Sequence, residues 1–586
     1  MSDRPGVRFE STIPIKMRDG ITLYSDLFMP KGNGKYPVLL ERTPYNRTAP
    51  FSRGLSLDSI TAALSGYVVM IQDCRGRFES EGEFHPFVNE INDGHDTIEW
   101  IANQDWCDGN VGMFGGSYVG ATQWLAAMSQ PPALKAITPG ITASNYHEGW
   151  TYQGGAFELD FNLSWSLIHL VSANYENLVN NFGASPDKIE ELTDMADRLM
   201  DEYSHLSLKD WPALKGIGDF YYRWLEHPEY DDYWKSIAIE EHHQNIDVAA
   251  LSIGGWFDIF MGGTIKNYVG MSKNGKTSNA RSNQKLLIGP WVHPGMLPGF
   301  PGVPVGEEYF GIRSYSGVID MHGILLKFFD HHLKGIQNGL SDEKPINIFV
   351  MGENAWREES EWPLSRAINT NYYMSSNGNA NSRNGDGLLG TKQTGNSDTD
   401  TFIYDPQFPV PTKGGGLCCY DALGGAGAFD QSDVELRNDV LVFSTPVLDK
   451  DIEVTGPITV KLYASTSGKD TDFTAKLVDV YPEDEKAINL TDSIIRARYR
   501  NGMEKAELLE PNKVYEYTID LWSTSNVFKK GHKIRIDVSS SNFPRFDRNL
   551  NTGGPIGEET DFIKATQTIF HNDEFPSHVI LPMVPR

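Results

Sequence analysis

VGMFGGSYVGATQWLAAM, residues 111–128, decides the fold. VGMF (111–114) is a buried-strand candidate, ATQWLAAM (121–128) a helical one, and Gly115-Gly116-Ser117-Tyr118-Val119-Gly120 must turn sharply between them. A tight strand-to-helix turn holds a serine hydroxyl out at its apex. It also places backbone N–H groups at the helix start, where they can stabilise developing negative charge. Glycines are needed because strand and helix approach closely and the turn is strained. The match to the general Gly-x-Ser-x-Gly pattern is imperfect, since Val119 stands at the second glycine position and Gly120 follows it. By itself a serine between glycines is more often only a turn. Its flanks and its partners decide.

Working outward, IPIKM and ITLYSDLFM flank Arg18-Asp19-Gly20 and form a hairpin pattern. YPVLLE (36–41) and GYVVMIQD (66–73) are further buried strands, and GHDTIEWIAN (94–103) is helical. Apolar strands alternating with helices specify a mostly parallel sheet in an α/β domain. From about 145 to 240 the strand signal fades. IEELTDMADRLMDEY (189–203) is an amphipathic helix, and Trp150, Tyr152, Phe157, Phe161 and Trp165 crowd the same region, which reads as a helical cap. The α/β pattern returns in DVAALSIGGWFD (247–258) and KLLIGPWVH (285–293), followed by the helix MHGILLKFFDHHLKG (321–335). The polar, glycine-rich stretch 375–400 reads as a loop rather than a packed element. Beyond it lie short alternating strands: DTFIYD, DVLVFS, ITVKLYAS, FTAKLVDVY, YEYTIDLW and KIRIDVSS. In the last, Ile534, Ile536 and Val538 share one face and Lys533, Arg535 and Asp537 the other. These strands predict an all-β sandwich of jelly-roll type.

The 586 residues allow three or four domains, and the 40% apolar fraction is enough for a sizeable core. A net charge of −27 argues against a nucleic-acid partner and reads as a solvated acidic surface. MSDRPGVRFE shows no signal-peptide pattern, and no apolar run approaches membrane-spanning length, so no membrane partner is expected. The four cysteines, Cys74, Cys107, Cys418 and Cys419, give neither a disulfide framework nor zinc-ligand spacing. A reducing cytoplasm fits that usage. The adjacent Cys418 and Cys419 read as loop or pocket-lining residues rather than redox partners.

A serine hydroxyl is a poor nucleophile and needs an adjacent base. In strand–turn–helix hydrolases the order is serine, acid, histidine, with the later members at strand ends. Asp258 ends LSIGGWFD and His293 ends LLIGPWVH. His293 would take the Ser117 proton, and Asp258 would fix the imidazole tautomer. Singly, Asp258 could be a helix N-cap, and His293, beside Pro294, a loop residue. His331 and His332 lie near a helix end without a metal-ligand pattern. The three candidates in order, each in its context, are what carry the reading.

At this point the sequence resembles the cocaine esterase-like hydrolases. These share their architecture with X-Pro dipeptidyl-peptidases, α-amino-acid ester hydrolases and glutaryl acylases. The resembling blocks are RTPYNR (42–47), QDCRGRFESEGEF (72–84), GNVGMFGGSYVG (109–120), GGWFD (254–258) and IGPWVH (288–293). Later blocks are FVMGENAWREESEWP (349–363), DTDFTAKLVDVYP (470–482) and SSNFPRFDRNLNTGG (540–554). Gly-x-Ser-Tyr-x-Gly is the family's own form of the turn. The resemblance implies an α/β-hydrolase core (1–144 and 241–355), a helical cap (145–240) and a C-terminal all-β jelly-roll domain (356–586). It assigns the Tyr45 phenol as an oxyanion-hole donor beside the Tyr118 N–H. It implies a small-molecule carboxylic ester as substrate, an acyl-enzyme intermediate and no cofactor or metal.

The α-amino-acid ester hydrolases carry two acidic residues just after their catalytic aspartate. Here those positions are Phe260 and Met261, which favours a neutral or aromatic acyl group over an ammonium. Trp150, Trp165 and Phe260 are candidates for an aromatic acyl pocket, or else pack cap against core. Cys418 and Cys419 stand where the cocaine esterase pattern has larger residues, which predicts a wider or differently shaped pocket. The alternatives are an amidase, acylase or X-Pro dipeptidyl-peptidase, for which Glu307 and Glu308 are the downstream acids, and a non-catalytic binding protein built on the jelly roll. A homodimer is left open.

Overall fold

The computed structural model describes residues 6–54, 56–180, 183–297, 304–393, 395, 398–419 and 425–586. Residues 394, 396 and 397 of the polar stretch and Tyr420 lie outside that set. The first part of the chain builds a ten-stranded mixed sheet. Its early strands are β1 (Val7–Lys16), β2 (Thr22–Pro30), β3 (Tyr36–Thr43), β4 (Val68–Asp73), β5 (Cys107–Gly116) and β6 (Leu134–Gly140). A small hairpin, β7 (Tyr152–Gln153) and β8 (Ala156–Phe157), stands apart. The sheet resumes with β9 (Ala249–Phe257), β10 (Gln284–Val292), β11 (Ile346–Val350) and β12 (Ala355–Glu359). The order is β1-β2-β4-β3-β5-β6-β9-β10-β11-β12, parallel through the centre and antiparallel at both edges. The sheet thus runs to Glu359, past the boundary expected at 355.

Both faces of the sheet are covered, which is why its central strands read as unbroken apolar runs. Val38, Leu40, Val68 and Met70 turn to one cluster with Trp124 and Ile98. Leu39, Val69 and Ile71 turn to the other, with Phe328 and Phe329. Helices Glu90–Ala102 and Tyr118–Met128 therefore lie on one face and Met321–Lys334 on the opposite one.

Between β6 and β9 the chain is mostly helical. Helix Pro186–Asp197 starts on Ser185, whose side chain accepts from the Lys188 N–H, with proline in the first turn. The single helix expected over 189–203 is broken at Arg198 (φ −106°, ψ 20°) and resumes as Leu199–Glu202.

The second sheet comprises β13 (Ile368–Ser375), β14 (Leu388–Gly390), β15 (Asp400–Tyr404), β16 (Leu441–Ser444), β17 (Ile452–Thr466) and β18 (Asp472–Val480). It continues with β19 (Ala487–Arg496), β20 (Tyr515–Phe528), β21 (Lys533–Ser539), β22 (Ala565–Phe570) and β23 (His578–Val584). Every strand contributes to one buried cluster, which continues into Trp256, Phe257 and Ile346 of the first sheet. β14 corrects the loop expected over 375–400: Leu389 is buried, and the strand pairs with β13 and β16. On β21 the polar face is covered too, and Arg535 pairs with Glu435.

Buried charges tie the second part to the helical segment. Arg496 bridges Asp472 (2.9 Å) and Asp547 (2.8 Å), and Asp547 also accepts the Phe157 N–H at 2.8 Å. Arg545 donates to Asp492 (2.7 Å) and to the Gln153 side-chain oxygen Oε1 (3.0 Å). Charge-assisted bonds of this kind fix geometry as well as energy.

Candidate active site

The site lies at the carboxyl ends of the parallel strands, where open α/β sheets bind ligands. Ser117 follows β5 with φ 61° and ψ −128°, left-handed backbone that a serine adopts only under local constraint. Two glycines impose that turn. A Cβ on Gly115 would sit 2.2 Å from Val119, and one on Gly120 would sit 2.7 Å from the Gly140 carbonyl of β6. The close approach to the neighbouring strand is therefore at Gly120, so a valine at 119 breaks the general pattern without opening the turn.

Register brings the partners to the serine. β9 and β10 are parallel neighbours with Phe257 opposite Val292, so the next residues, Asp258 and His293, emerge side by side. His293 Nδ1 lies 2.7 Å from Asp258 Oδ1, and Nε2 lies 2.9 Å from Ser117 Oγ. Asp258 accepts a hydrogen bond from Nδ1–H, which leaves Nε2 free to accept from the serine. Asp258 is 2% exposed, and burial raises its carboxyl above the usual range, opposed by His293 and by the N–H groups of Phe260 and Ile259.

Tyr45 faces this group from the loop after β3. Its phenol oxygen accepts the Trp165 indole N–H at 3.0 Å and hydrogen-bonds with Ser117. Burial holds the phenol pKa up at about 12, so the O–H stays intact and donating. The Tyr118 N–H is the first of its helix and has no partner within it. The Tyr118 ring points elsewhere, donating its hydroxyl to Glu90 at 2.9 Å. Buried Arg77 ties these pieces together, donating to Pro44 at 2.7 Å and to the Leu170 carbonyl.

The group opens on a cavity of about 630 Å³, lined by Tyr45, Ser117, Trp165, His293, Cys418 and Cys419 among others. Of the three aromatics expected there, only Trp165 lines it. Trp150 and Phe260 are corrected to packing residues, fully buried and stacked at 4.1 Å, with the Phe260 edge against the His293 ring at 5.2 Å. Met261 is buried in the cluster that underlies the second sheet. Glu307 and Glu308 also stand away from the cavity, paired with Lys486 at 3.5 and 3.0 Å. Cys418 and Cys419 line it as expected, but they are bonded to each other, contrary to the expectation that they are not redox partners.

Two titratable cavity residues, His169 and Glu41, are not among the sequence candidates. His169 lies beside Cys419, its Nε2 3.1 Å from the Cys419 carbonyl. Glu41 is 3% exposed, and burial alone pushes its carboxyl well above the ordinary value. It makes no ion pair or side-chain hydrogen bond among the described residues. Its only signal was an acid closing the apolar run YPVLLE.

Comparison with known proteins covers nearly the whole chain. The X-Pro dipeptidyl-peptidase (S15 family) description matches residues 19–295. The X-Pro dipeptidyl-peptidase C-terminal non-catalytic domain matches residues 338–580. The chain is 38% identical to cocaine esterase from Rhodococcus sp. (strain MB1 Bresler) over 98% of each sequence. Among solved structures, an aminopeptidase from a marine sediment Thaumarchaeota archaeon matches with a TM-score of 0.81 at 27% identity, covering 99% of this chain and 96% of that one. An α-amino-acid ester hydrolase matches with a TM-score of 0.80 at 26% identity, covering 99% and 97%. The chain belongs to the family of cocaine esterase-like hydrolases.

Proposed function

We propose that the protein is a serine hydrolase that cleaves small-molecule carboxylic esters through an acyl-enzyme. The observation that carries this is the unbroken chain Ser117–His293–Asp258, with contacts of 2.9 and 2.7 Å, opening on a largely apolar cavity. Ser117 Oγ attacks the ester carbonyl while His293 Nε2 takes its proton. The Tyr45 O–H and Tyr118 N–H receive the oxyanion. Collapse expels the alcohol, which leaves with the proton from His293. Water then attacks the acyl group with His293 as base, releasing the carboxylic acid and restoring Ser117. Val119, Ile141, Leu297 and Leu417 along the cavity support a neutral or aromatic acyl group.

In architecture we read the first sheet as an α/β-hydrolase core, the helical insert as its cap and the second sheet as a jelly roll. A cytoplasmic setting is our reading of the sparse cysteine usage, with Cys74 and Cys107 free and buried and Cys418 bonded only to its neighbour Cys419. No helix among the described residues is long and apolar enough to cross a membrane.

Ser117→Ala tests the chemistry. Turnover of p-nitrophenyl esters and labelling by a fluorophosphonate should both vanish, and retained turnover would sink the assignment. A second reading, cleavage beside a free amine as in an X-Pro dipeptidyl-peptidase, is favoured by the Glu41 carboxyl in the cavity. Efficient hydrolysis of Gly-Pro-anilide in parallel with the esters would select it.

A further inference from the structure

The cavity holds a second donor set, which shares His293 with ester hydrolysis and adds two sulfurs that hydrolysis does not use. The Sγ atoms of Cys418 and Cys419 and a ring nitrogen of His293 all lie within 4.8 Å of one another. The two sulfurs are bonded in this structure. A bond between neighbouring residues requires both side chains on one side of the chain, and here both residues line the cavity. When the bond is opened, two thiols are left facing the imidazole. His293 Nδ1 is held by Asp258 at 2.7 Å, so Nε2 is the nitrogen available.

Two cysteine sulfurs and one imidazole nitrogen form a borderline-soft set, suited to tetrahedral Zn²⁺ with the fourth position left to water. With Zn–S near 2.3 Å and Zn–N near 2.0 Å, tetrahedral donors stand roughly 3.5–4 Å apart. Once the bond is opened, side-chain rotation that carries each sulfur about 1 Å spreads the pair towards that spacing, with the imidazole nitrogen already within 4.8 Å of both. Asp258 behind Nδ1 supplies the carboxylate that usually orients a metal-bound histidine. We propose that the reduced Cys418–Cys419 pair and His293 form a binding site for a thiophilic divalent metal, and that the bound metal silences hydrolysis by occupying the nitrogen Ser117 needs. The silencing rests on His293 being the base; the binding does not.

A phosphine reductant takes oxygen from water and delivers two electrons and two protons to the sulfurs, giving two thiols and a phosphine oxide. Each thiol then loses its proton to solvent on coordination, so binding strengthens as pH rises.

The test uses the full chain, oxidised and phosphine-reduced, each stripped of metal. Titration with Co²⁺ should give thiolate-to-metal charge-transfer absorption saturating at one equivalent in the reduced protein and none in the oxidised one. Zn²⁺ should depress p-nitrophenyl ester hydrolysis at least about tenfold in the reduced protein only. Cys418→Ser and Cys419→Ser, each compared with its own metal-free rate, should need more Zn²⁺ for half inhibition by at least the roughly 10–100-fold that loss of an outer-shell partner costs. Equal Co²⁺ absorption or equal Zn²⁺ sensitivity in oxidised and reduced wild-type protein would overturn the proposal, and that comparison needs no variant to fold. Absorption without loss of activity would overturn it as well. The Co²⁺ spectrum of reduced Ser117→Ala protein keeps the metal site separable from the reading of the hydrolase, since it should survive whether or not that serine is the nucleophile.

Discussion

Replacing Tyr45 by phenylalanine removes one oxygen from the cavity and leaves the ring that fills the space. In the resting structure that oxygen accepts from Trp165 at 3.0 Å and faces Ser117. In the transition state its proton would meet the oxyanion. Loss of one such donor costs about 2.7–4 kcal/mol, or roughly 100–1,000-fold in kcat. The loss should fall on kcat with KM nearly constant, because the bond is made only as charge develops. The substitution also leaves the Trp165 N–H without its acceptor, at a cost of about 1–3 kcal/mol in stability, which a thermal melt reads independently of rate. Trp165→Phe separates the two effects: if Trp165 acts only by aiming the phenol, the double variant is no slower than Tyr45→Phe alone. Since the phenol pKa is held near 12, the contribution should not change between pH 6 and pH 10. Steady-state kinetics on a p-nitrophenyl ester decide. A fall in kcat of less than about threefold, or a loss confined to KM, would refute an oxyanion role for Tyr45.

Glu41→Gln should raise the melting temperature at pH 7–8, and the gain should vanish towards pH 4. The native carboxyl titrates well above its ordinary value of 4.5, so the unfolded chain ionises first and wild-type stability falls as pH rises from that value; a melting difference independent of pH would contradict this. Asp258→Asn should lower kcat by about 10⁴-fold with little effect on binding, because the wrong imidazole tautomer is then favoured; a loss under tenfold would argue against its orienting role. Asp547→Ala removes one of the two carboxylates on buried Arg496 and the acceptor of the Phe157 N–H, and should destabilise by about 3–5 kcal/mol in denaturant melts.

What the sequence could reveal followed from where each signal resides. Asp258 and His293 were legible because parallel register converts two strand ends into two adjacent side chains, with Phe257 beside Val292. The turn at Ser117 was legible because its glycines answer backbone constraints a few residues away. The walls of the cavity answer to something else. Trp150, Phe260 and Trp165 carry the same composition signal, yet only the last meets the cavity, since a ring packed between layers and a ring facing a substrate demand the same residue type. Leu388–Gly390 was lost inside a polar stretch because three residues show no period, and their strand exists only through pairing with β13 and β16. Glu41 was hidden for the converse reason. Every residue of β3 after Tyr36 is buried, so the alternation that would flag an inward acid is absent. Cys418 and Cys419 reach the catalytic cluster from the C-terminal part of the chain, and no spacing rule links them to His293. A close Ser117–His293 contact can be built within one sheet. The selectivity of the cavity depends on how the second part of the chain is laid against that sheet, and it is there that substitutions at Cys418, Cys419 and Trp165 should change substrate preference without disturbing the Asp258–His293 pair.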